Sequence, residues 1–127
     1  MVGRPSDGIA KPYELDLINL RTADNFQLDG LLYTPKSGAS AVVLLVHGRT
    51  CNFLIGPPRF VPFPFAKEGI ASFALNMRSN SLGYSRGDVK FENFDAFEFN
   101  MAGAAWENFE LGYMDVRAAV SYLRQVG

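Results

Sequence analysis

Six consecutive apolar residues, Ala41–Val46, give the clearest indication of how this chain folds. A short strand that is apolar on both faces is typical of a parallel sheet covered by helices on both sides. The pattern over Arg59–Glu68 favours a short helix with a distorted start, because Pro62 and Pro64 both fall within it. Ile70–Met77 has the composition of a second buried strand. Strand, helix and strand in this order predict a βαβ unit with parallel strands.

Two further patterns flank this unit and complete an α/β class of fold. Tyr13–Arg21 partly alternates, as a half-buried strand does, and Gln27–Thr34 predicts a second strand of a β-hairpin. Glu110–Val126 has apolar residues at helical spacing, which predicts a C-terminal amphipathic helix. The apolar stripe of this helix consists of Leu111, Met114, Ala118, Tyr122 and Leu123. We expect residues 1–12 to form a flexible leader and residues 13–127 to form one folded unit.

The composition of the 127 residues argues against several classes of protein. Apolar residues make up 48% and charged residues 20%, which is typical of a soluble globular domain. The net charge of −1, without a basic patch, argues against a nucleic-acid partner. No apolar run approaches the ~20 residues of a membrane helix, and the N-terminus has no signal-peptide core, so we expect a cytoplasmic protein. Cys51 is the single cysteine, which excludes an internal disulfide, and we expect neither a metal nor an organic cofactor.

Residues that can take part in chemistry follow the ends of the predicted strands. His47-Gly48 ends the first strand of the βαβ unit, Asn76-Met77-Arg78 ends the second, and the final helix carries Asp115. In this order they resemble the N-terminal half of the α/β-hydrolases, over residues 13–127. The strings most similar to a serine-hydrolase, esterase-like branch are Val46-His47-Gly48, Asn52-Phe53 and Trp106–Glu110. The resemblance implies a partial α/β-hydrolase sheet, with a β-hairpin followed by a βαβ unit and an amphipathic helix.

The resemblance also implies a role for the residues that follow the first buried strand. His47-Gly48 matches the His-Gly of the family, after which a loop presents backbone N–H groups to the substrate oxyanion. The implied oxyanion hole consists of His47, Gly48, Arg49 and Thr50, with the N–H of Arg49 as the first donor. On this interpretation Gly48 is a glycine because a side chain would crowd the approaching ester. The implied partner is a small-molecule acyl substrate.

Aromatic residues provide candidates for a substrate wall. The candidates are Phe53, Phe91, Phe94 and Trp106. The Phe-rich stretch 91–99 fits a piece of core beneath a long loop equally well. Acidic residues in the same loop are interpreted as a solvated rim, because they lack the glycine turns and ligand spacing of an EF-hand cation site.

The catalytic triad of the family is expected outside this chain. The family uses Ser, then Asp or Glu, then His, with the Ser on Gly-x-Ser-x-Gly after a buried strand. Gly83–Gly87 matches those letters around Ser85, but polar residues precede it and no His follows it, so we expect a turn there. We therefore expect the triad downstream of Gly127. The complete protein is then a serine hydrolase, and the present chain alone is inactive.

Several individual residues have two interpretations. Arg78 and Asp115 are candidates for a structural ion pair that pins the loop to the last helix, or are two solvated charges. His47 could act as a general base for Ser85 or Cys51, although its place at a strand end suits the oxyanion loop better. Cys51 fits a small buried apolar residue.

A second functional class is a non-catalytic α/β binding or interaction module. The sheet of the hydrolase family has the strand order 1-2-4-3-5, numbered along the chain. Ala41–Val46 corresponds to strand 3, and strand 5, which would pair with its free edge, is missing here. An open apolar edge of this kind recruits another chain. The candidate partners are a C-terminal complementing chain or a second copy, and the alternative is that the sequence belongs to a longer protein.

Overall fold

The computed structural model describes residues 10–48, 51–78, 80 and 111–127. In chain order its elements are β1 (Tyr13–Arg21), β2 (Gln27–Pro35), β3 (Ala41–Val46), a 3-10 turn (Pro57–Arg59), α1 (Pro62–Lys67), β4 (Ile70–Asn76) and α2 (Gly112–Val126). The four predicted strands are confirmed to within one residue at each end. In these ranges no helix has the length and apolar character needed to cross a bilayer.

The strands of the described residues form one mixed sheet in the order β1-β2-β4-β3. β1 and β2 are antiparallel along their full length, from Tyr13 opposite Pro35 to Arg21 opposite Gln27. β2 is antiparallel to β4, and β3 is parallel to β4. The predicted hairpin and the predicted βαβ unit are therefore both confirmed, and the strand order agrees with the first four positions of the expected sheet.

β4 is the most buried strand, because β2 and β3 flank it on its two edges. Successive side chains of a strand point to opposite faces, so β4 contributes to two separate cores. The core on the α2 face consists of Leu20, Leu28, Phe73, Leu75 and Ala119. The core on the opposite face consists of Tyr33, Phe53 and Ala74.

β3 is more exposed in the structure than its apolar sequence predicts. Val42 is 43% exposed and Val46 is 50% exposed, while the three residues between them are half-buried. The reason is position, since β3 forms the edge of the described sheet and pairs there only with β4. The apolar run thus correctly predicts a strand of a parallel pair but not its degree of burial.

The helix expected over residues 59–68 is shorter and begins later. α1 begins at Pro62, after the separate 3-10 turn, and its first turn holds Pro62 and Pro64. Proline is tolerated there because the N–H groups of the first turn have no acceptor within the helix. Gly69 follows with φ of 72°, the left-handed conformation that commonly ends a helix.

Candidate functional site

The carboxyl ends of β3 and β4 bring several predicted site residues to one edge of the sheet, called here the carboxyl edge. His47 follows β3 directly, and Met77 and Arg78 follow β4. Because β3 and β4 are parallel neighbours, the ring of His47 contacts the backbone of Met77 across thirty positions of the chain. In open α/β sheets, ligands bind in the crevice at the carboxyl ends of the strands.

Both ring nitrogens of His47 bond to the backbone. Its Nε2 accepts a hydrogen bond from the N–H of Met77 at 2.9 Å, and its Nδ1 lies 2.8 Å from the carbonyl oxygen of Gly48. Since a backbone N–H can only donate, Nε2 must carry the lone pair, and Nδ1 carries the proton and donates to Gly48. The ring therefore ties the end of β3 to the end of β4. This arrangement leaves neither nitrogen for the alternative role of general base.

Gly48 has no internal reason to be glycine in the described structure. A Cβ built on it would meet no atom within 4 Å, and its φ is not in the left-handed region. Its carbonyl also accepts the N–H of Cys51 at 3.2 Å. Room for a ligand, the reason expected from the sequence, stays a prediction.

Asn52 and Phe53 follow Cys51 in the described part of the loop after β3. Asn52 is buried, and its Oδ1 accepts the N–H of Leu54 at 2.8 Å, which fixes the local chain direction. Phe53 is 6% exposed and packs with Tyr33 and Ala74, so little of its ring is available to a ligand. The structure therefore favours a core role for Phe53. Only the small exposed part of its ring is available for the predicted substrate wall.

The predicted ion pair between Arg78 and Asp115 is present and has a third member, Asp24. Asp115 is fully buried, and its Oδ1 lies 2.8 Å from Nε and 2.7 Å from Nη2 of Arg78. Its Oδ2 accepts the backbone N–H of Arg78 at 3.0 Å. Asp24, in the turn between β1 and β2, lies 2.7 Å from Nη1 and 3.0 Å from Nη2. No local pattern indicates a role for Asp24, which is 54 positions from Arg78 and resembles an ordinary turn residue.

The charges of this Arg78 cluster (Asp24, Arg78 and Asp115) are fixed by their mutual contacts. The hydrogen bond from Arg78, aided by that from Thr22, lowers the pKa of Asp24 from 3.8 to about 2. Burial opposes the charge on Arg78, but the bonds to Asp24 and Asp115 outweigh burial and raise the pKa of Arg78 above its ordinary value. The guanidinium also lies over the ring of Phe26, 4.8 Å from its centroid. Asp24 and Arg78 therefore stay charged, and the cluster joins the hairpin turn, the end of β4 and the start of α2.

Two buried polar side chains of β4 have no hydrogen-bond partner among the residues that the structure describes. They are the hydroxyl of Ser72 and both amide atoms of Asn76. Asn76 is 1% exposed and is the first residue of the Asn-x-Arg motif. It follows Leu75, which pairs with Val46 at the end of the parallel ladder. An unsatisfied buried group costs about 1–3 kcal/mol.

Several predicted site residues lie outside the described residues. These are Arg49, Thr50, Phe91, Phe94 and Trp106. Ser85, the stretch 91–99 and Glu110 also lie there. Cys51 is described and is half-buried with a free thiol, so it is less buried than expected. Among the described residues, no group of three His, Cys, Asp or Glu side chains could hold a metal ion.

Comparison with solved structures identifies the fold to which the carboxyl edge belongs. An esterase from Pyrococcus furiosus matches with a TM-score of 0.59 and 20% identity, over 98% of this chain and 39% of that protein. A cold-adapted esterase from an Arctic intertidal metagenomic library matches with a TM-score of 0.64 and 19% identity, over 98% of this chain and 50% of that protein. The chain has the N-terminal part of the α/β-hydrolase fold. An acylaminoacyl peptidase from Pyrococcus horikoshii matches at 17% identity with a TM-score of 0.59, over 92% of this chain and 17% of that protein.

The α/β-hydrolase fold gives the carboxyl edge its place in a larger sheet. The chain spans half or less of the length of each of these proteins. No protein-family model matches it, and neither does any curated protein. In α/β-hydrolases an N–H of the loop after the third strand contributes to the oxyanion hole. In this chain His47 and Gly48 follow β3 directly.

Proposed function

We propose that this chain forms the oxyanion-loop part of a serine hydrolase that acts on carboxylic esters or related acyl compounds. The observation that carries the proposal is His47, whose ring holds the start of the loop after β3 against the end of β4. Oxyanion stabilisation requires N–H groups that are oriented before the substrate arrives, and the anchoring of His47 and Gly48 at the start of this loop supports that role. The similarity of fold to two esterases and a peptidase, all of which act on acyl groups, supports the same class of reaction.

The proposed mechanism divides the chemistry between this chain and further residues. A Ser hydroxyl attacks the carbonyl carbon of the ester, and the electron pair of the C=O bond moves onto oxygen. The N–H of Arg49, with that of Thr50, donates to this oxyanion, and one such donor contributes about 3 kcal/mol. His47 is the single histidine of the chain and both of its ring nitrogens are engaged, so the His that takes the Ser proton lies beyond these residues.

The coding sequence that follows Gly127 provides the first test. We expect a buried strand and a Gly-x-Ser-x-Gly motif within about twenty residues of that point. Protein translated through this region should hydrolyse p-nitrophenyl butyrate and lose that activity when the motif Ser is replaced by Ala, whereas residues 1–127 alone should not exceed the buffer rate. An open frame that continues without the motif would sink the proposal.

The exposed edge of β3 supports a second candidate function, an interaction module that pairs through this strand. Val42 and Val46 are exposed, and β3 pairs only with β4 among the described strands. A complementing strand supplied by a C-terminal chain would continue the parallel ladder and cover these side chains. A second copy of the chain, paired edge to edge, is the competing occupant.

Association through β3 predicts a specific effect of lysine at its exposed positions. Light scattering on the purified chain should give a dimer or larger species, and the double substitution Val42→Lys and Val46→Lys should return it to a monomer. Leu17→Lys is the matched control, because Leu17 is 66% exposed on β1, at the opposite edge of the sheet. A monomeric parent chain, or equal dissociation by Leu17→Lys, would exclude self-association through β3.

A further inference from the structure

A cleft lies between β1 and α2, at the edge of the sheet opposite β3. Its volume is about 360 Å³, which is within the ~300–1,000 Å³ typical of small-molecule sites. Neither His47 nor Gly48, the described residues of the proposed oxyanion loop, lines it. What the cleft binds is therefore a question separate from the proposed hydrolase function.

The lining of this cleft carries positive charge. Arg21 and Arg117 both line it, and none of the described lining residues carries a carboxyl group. Arg21 donates from Nη1 to the amide Oδ1 of Asn25 at 2.6 Å, so its partner is neutral. Arg117 is exposed and has no ion-pair partner within the part of the chain that the structure describes. The carboxyl group of Asp24, which follows a lining residue in the chain, is already ion-paired to Arg78.

The α2 side of the cleft combines a polar row with an apolar row. Residues four positions apart lie above one another on a helix. The polar row consists of Tyr113, Arg117, Ser121 and Gln125, and the apolar row consists of Met114, Ala118 and Tyr122. The ring of Tyr122 lies 5.9 Å from that of Phe73 in the core, so the apolar row faces the sheet and forms the floor. On the β1 side, Asn19 is already bonded to Asp29, so Arg21 is the charged donor there.

We propose that this cleft binds an organic carboxylate that carries a short apolar chain. A guanidinium offers parallel N–H donors that match the two oxygens of a carboxylate. Arg21 and Arg117 supply such donors from opposite walls, and the apolar row between them covers the hydrocarbon part of the ligand. An inorganic anion would satisfy the arginines but would leave the apolar floor exposed to water.

Titration of the ¹⁵N-labelled chain with hexanoate tests the proposal against two other probes. Hexanamide has the same chain without the charge, and inorganic phosphate has charge without the chain. We expect hexanoate to shift the amide signals of the cleft residues and to bind at least tenfold more tightly than either of the other two. Equal binding of hexanoate and hexanamide would overturn the role of the arginines. Phosphate binding as tight as that of hexanoate would overturn the assignment to organic carboxylates.

Substitutions on one helix separate the cleft from general attraction to a positive surface. Arg117→Gln should weaken hexanoate binding about tenfold, and Arg21→Gln should do the same from the β1 side. Arg124→Gln is the matched control, since Arg124 is exposed on α2 and does not line the cleft. An unchanged affinity in Arg117→Gln, or an equal loss in Arg124→Gln, would overturn the proposal. Because Arg117 is exposed, its substitution leaves the core of the chain intact.

Discussion

The side chain of Arg78 connects the hairpin turn to α2 at the end of β4. Its guanidinium forms ion pairs with two carboxyl groups, that of Asp24 in the hairpin turn and that of Asp115 in α2. It also lies over the ring of Phe26. The two acids differ in environment, because Asp115 is fully buried whereas the side chain of Asp24 is 29% exposed. Loss of Arg78 should therefore damage the fold mainly through Asp115, and loss of Asp24 should have a smaller effect.

Protonation of Asp24 should lower the stability of the chain in acid. Its pKa falls from 3.8 to about 2 on folding, so its contribution is complete above pH 4 and is lost as the pH falls towards 2. Allowing for solvent screening, the contribution is about 1 kcal/mol or less. Urea unfolding should show Asp24→Asn to be less stable than the parent chain at pH 6, and the difference should shrink between pH 4 and pH 2.5. A difference that stays constant over this range would contradict the assignment.

Arg78→Met should destabilise the chain by about 3–5 kcal/mol, because it leaves the buried carboxyl group of Asp115 without its cation. Adding Asp115→Asn to Arg78→Met should recover part of this loss in denaturant unfolding, since the amide removes the unpaired charge and keeps an acceptor for the backbone N–H. Arg124→Met, on the exposed side of α2, is the control and should change stability by less than about 0.5 kcal/mol. Failure of the double variant to recover would mean that packing of the Arg78 side chain outweighs its charge.

Single-residue contacts mark the limit of what the sequence could predict. The pair of Arg78 and Asp115 was predictable from a resemblance in the order of motifs, but Asp24 was not, because nothing local distinguishes it from other turn residues. The tautomer of His47 was equally hidden, since it depends on a backbone N–H thirty positions away. Local sequence patterns predict the elements well, whereas these contacts exist only once the sheet has formed.

At the scale of elements, β3 and β4 have similar apolar sequences and opposite degrees of burial. Position in the sheet decides the difference, because β4 has a strand on each side and β3 has one. The burial of α2 also differs from the pattern in its sequence. Its buried residues are Asp115 and Ala119, neither of which belongs to the apolar stripe predicted from the sequence. Ala119 is small enough to pack against the sheet in the α2-face core, and Asp115 is buried because Arg78 neutralises it.

The packing of β2 on β4 depends on the absence of a side chain at Gly30. A Cβ built on Gly30 would collide with the ring of Phe73, which is fully buried. Gly30→Ala should therefore lower the free energy of unfolding by about 1–3 kcal/mol, measured in urea. Gly112→Ala is the control, because a Cβ there meets no atom within 4 Å. Combining Gly30→Ala with Phe73→Leu should cost less than the sum of the two single changes, and simple additivity would contradict the proposed contact.

At the scale of the whole molecule, the order of the elements predicted the fold and the structural comparisons support it. The matched esterases are at least about twice as long as this chain, which covers 39% and 50% of them. A fold hosts many activities, so the hydrolase proposal depends on the carboxyl edge rather than on the architecture. There, the proposal rests on the tethered ring of His47 and on the open space around Gly48.

The most direct test of the account compares Gly48→Ala with Gly112→Ala in protein that extends through the expected Gly-x-Ser-x-Gly motif. Neither methyl group would meet an atom of the described structure within 4 Å, so both variants should fold normally. If the loop after β3 receives the substrate carbonyl, Gly48→Ala should lower kcat/KM for p-nitrophenyl butyrate at least about tenfold, and Gly112→Ala should leave it unchanged. Equal kcat/KM values for the two variants would contradict the placement of the oxyanion site at the end of β3.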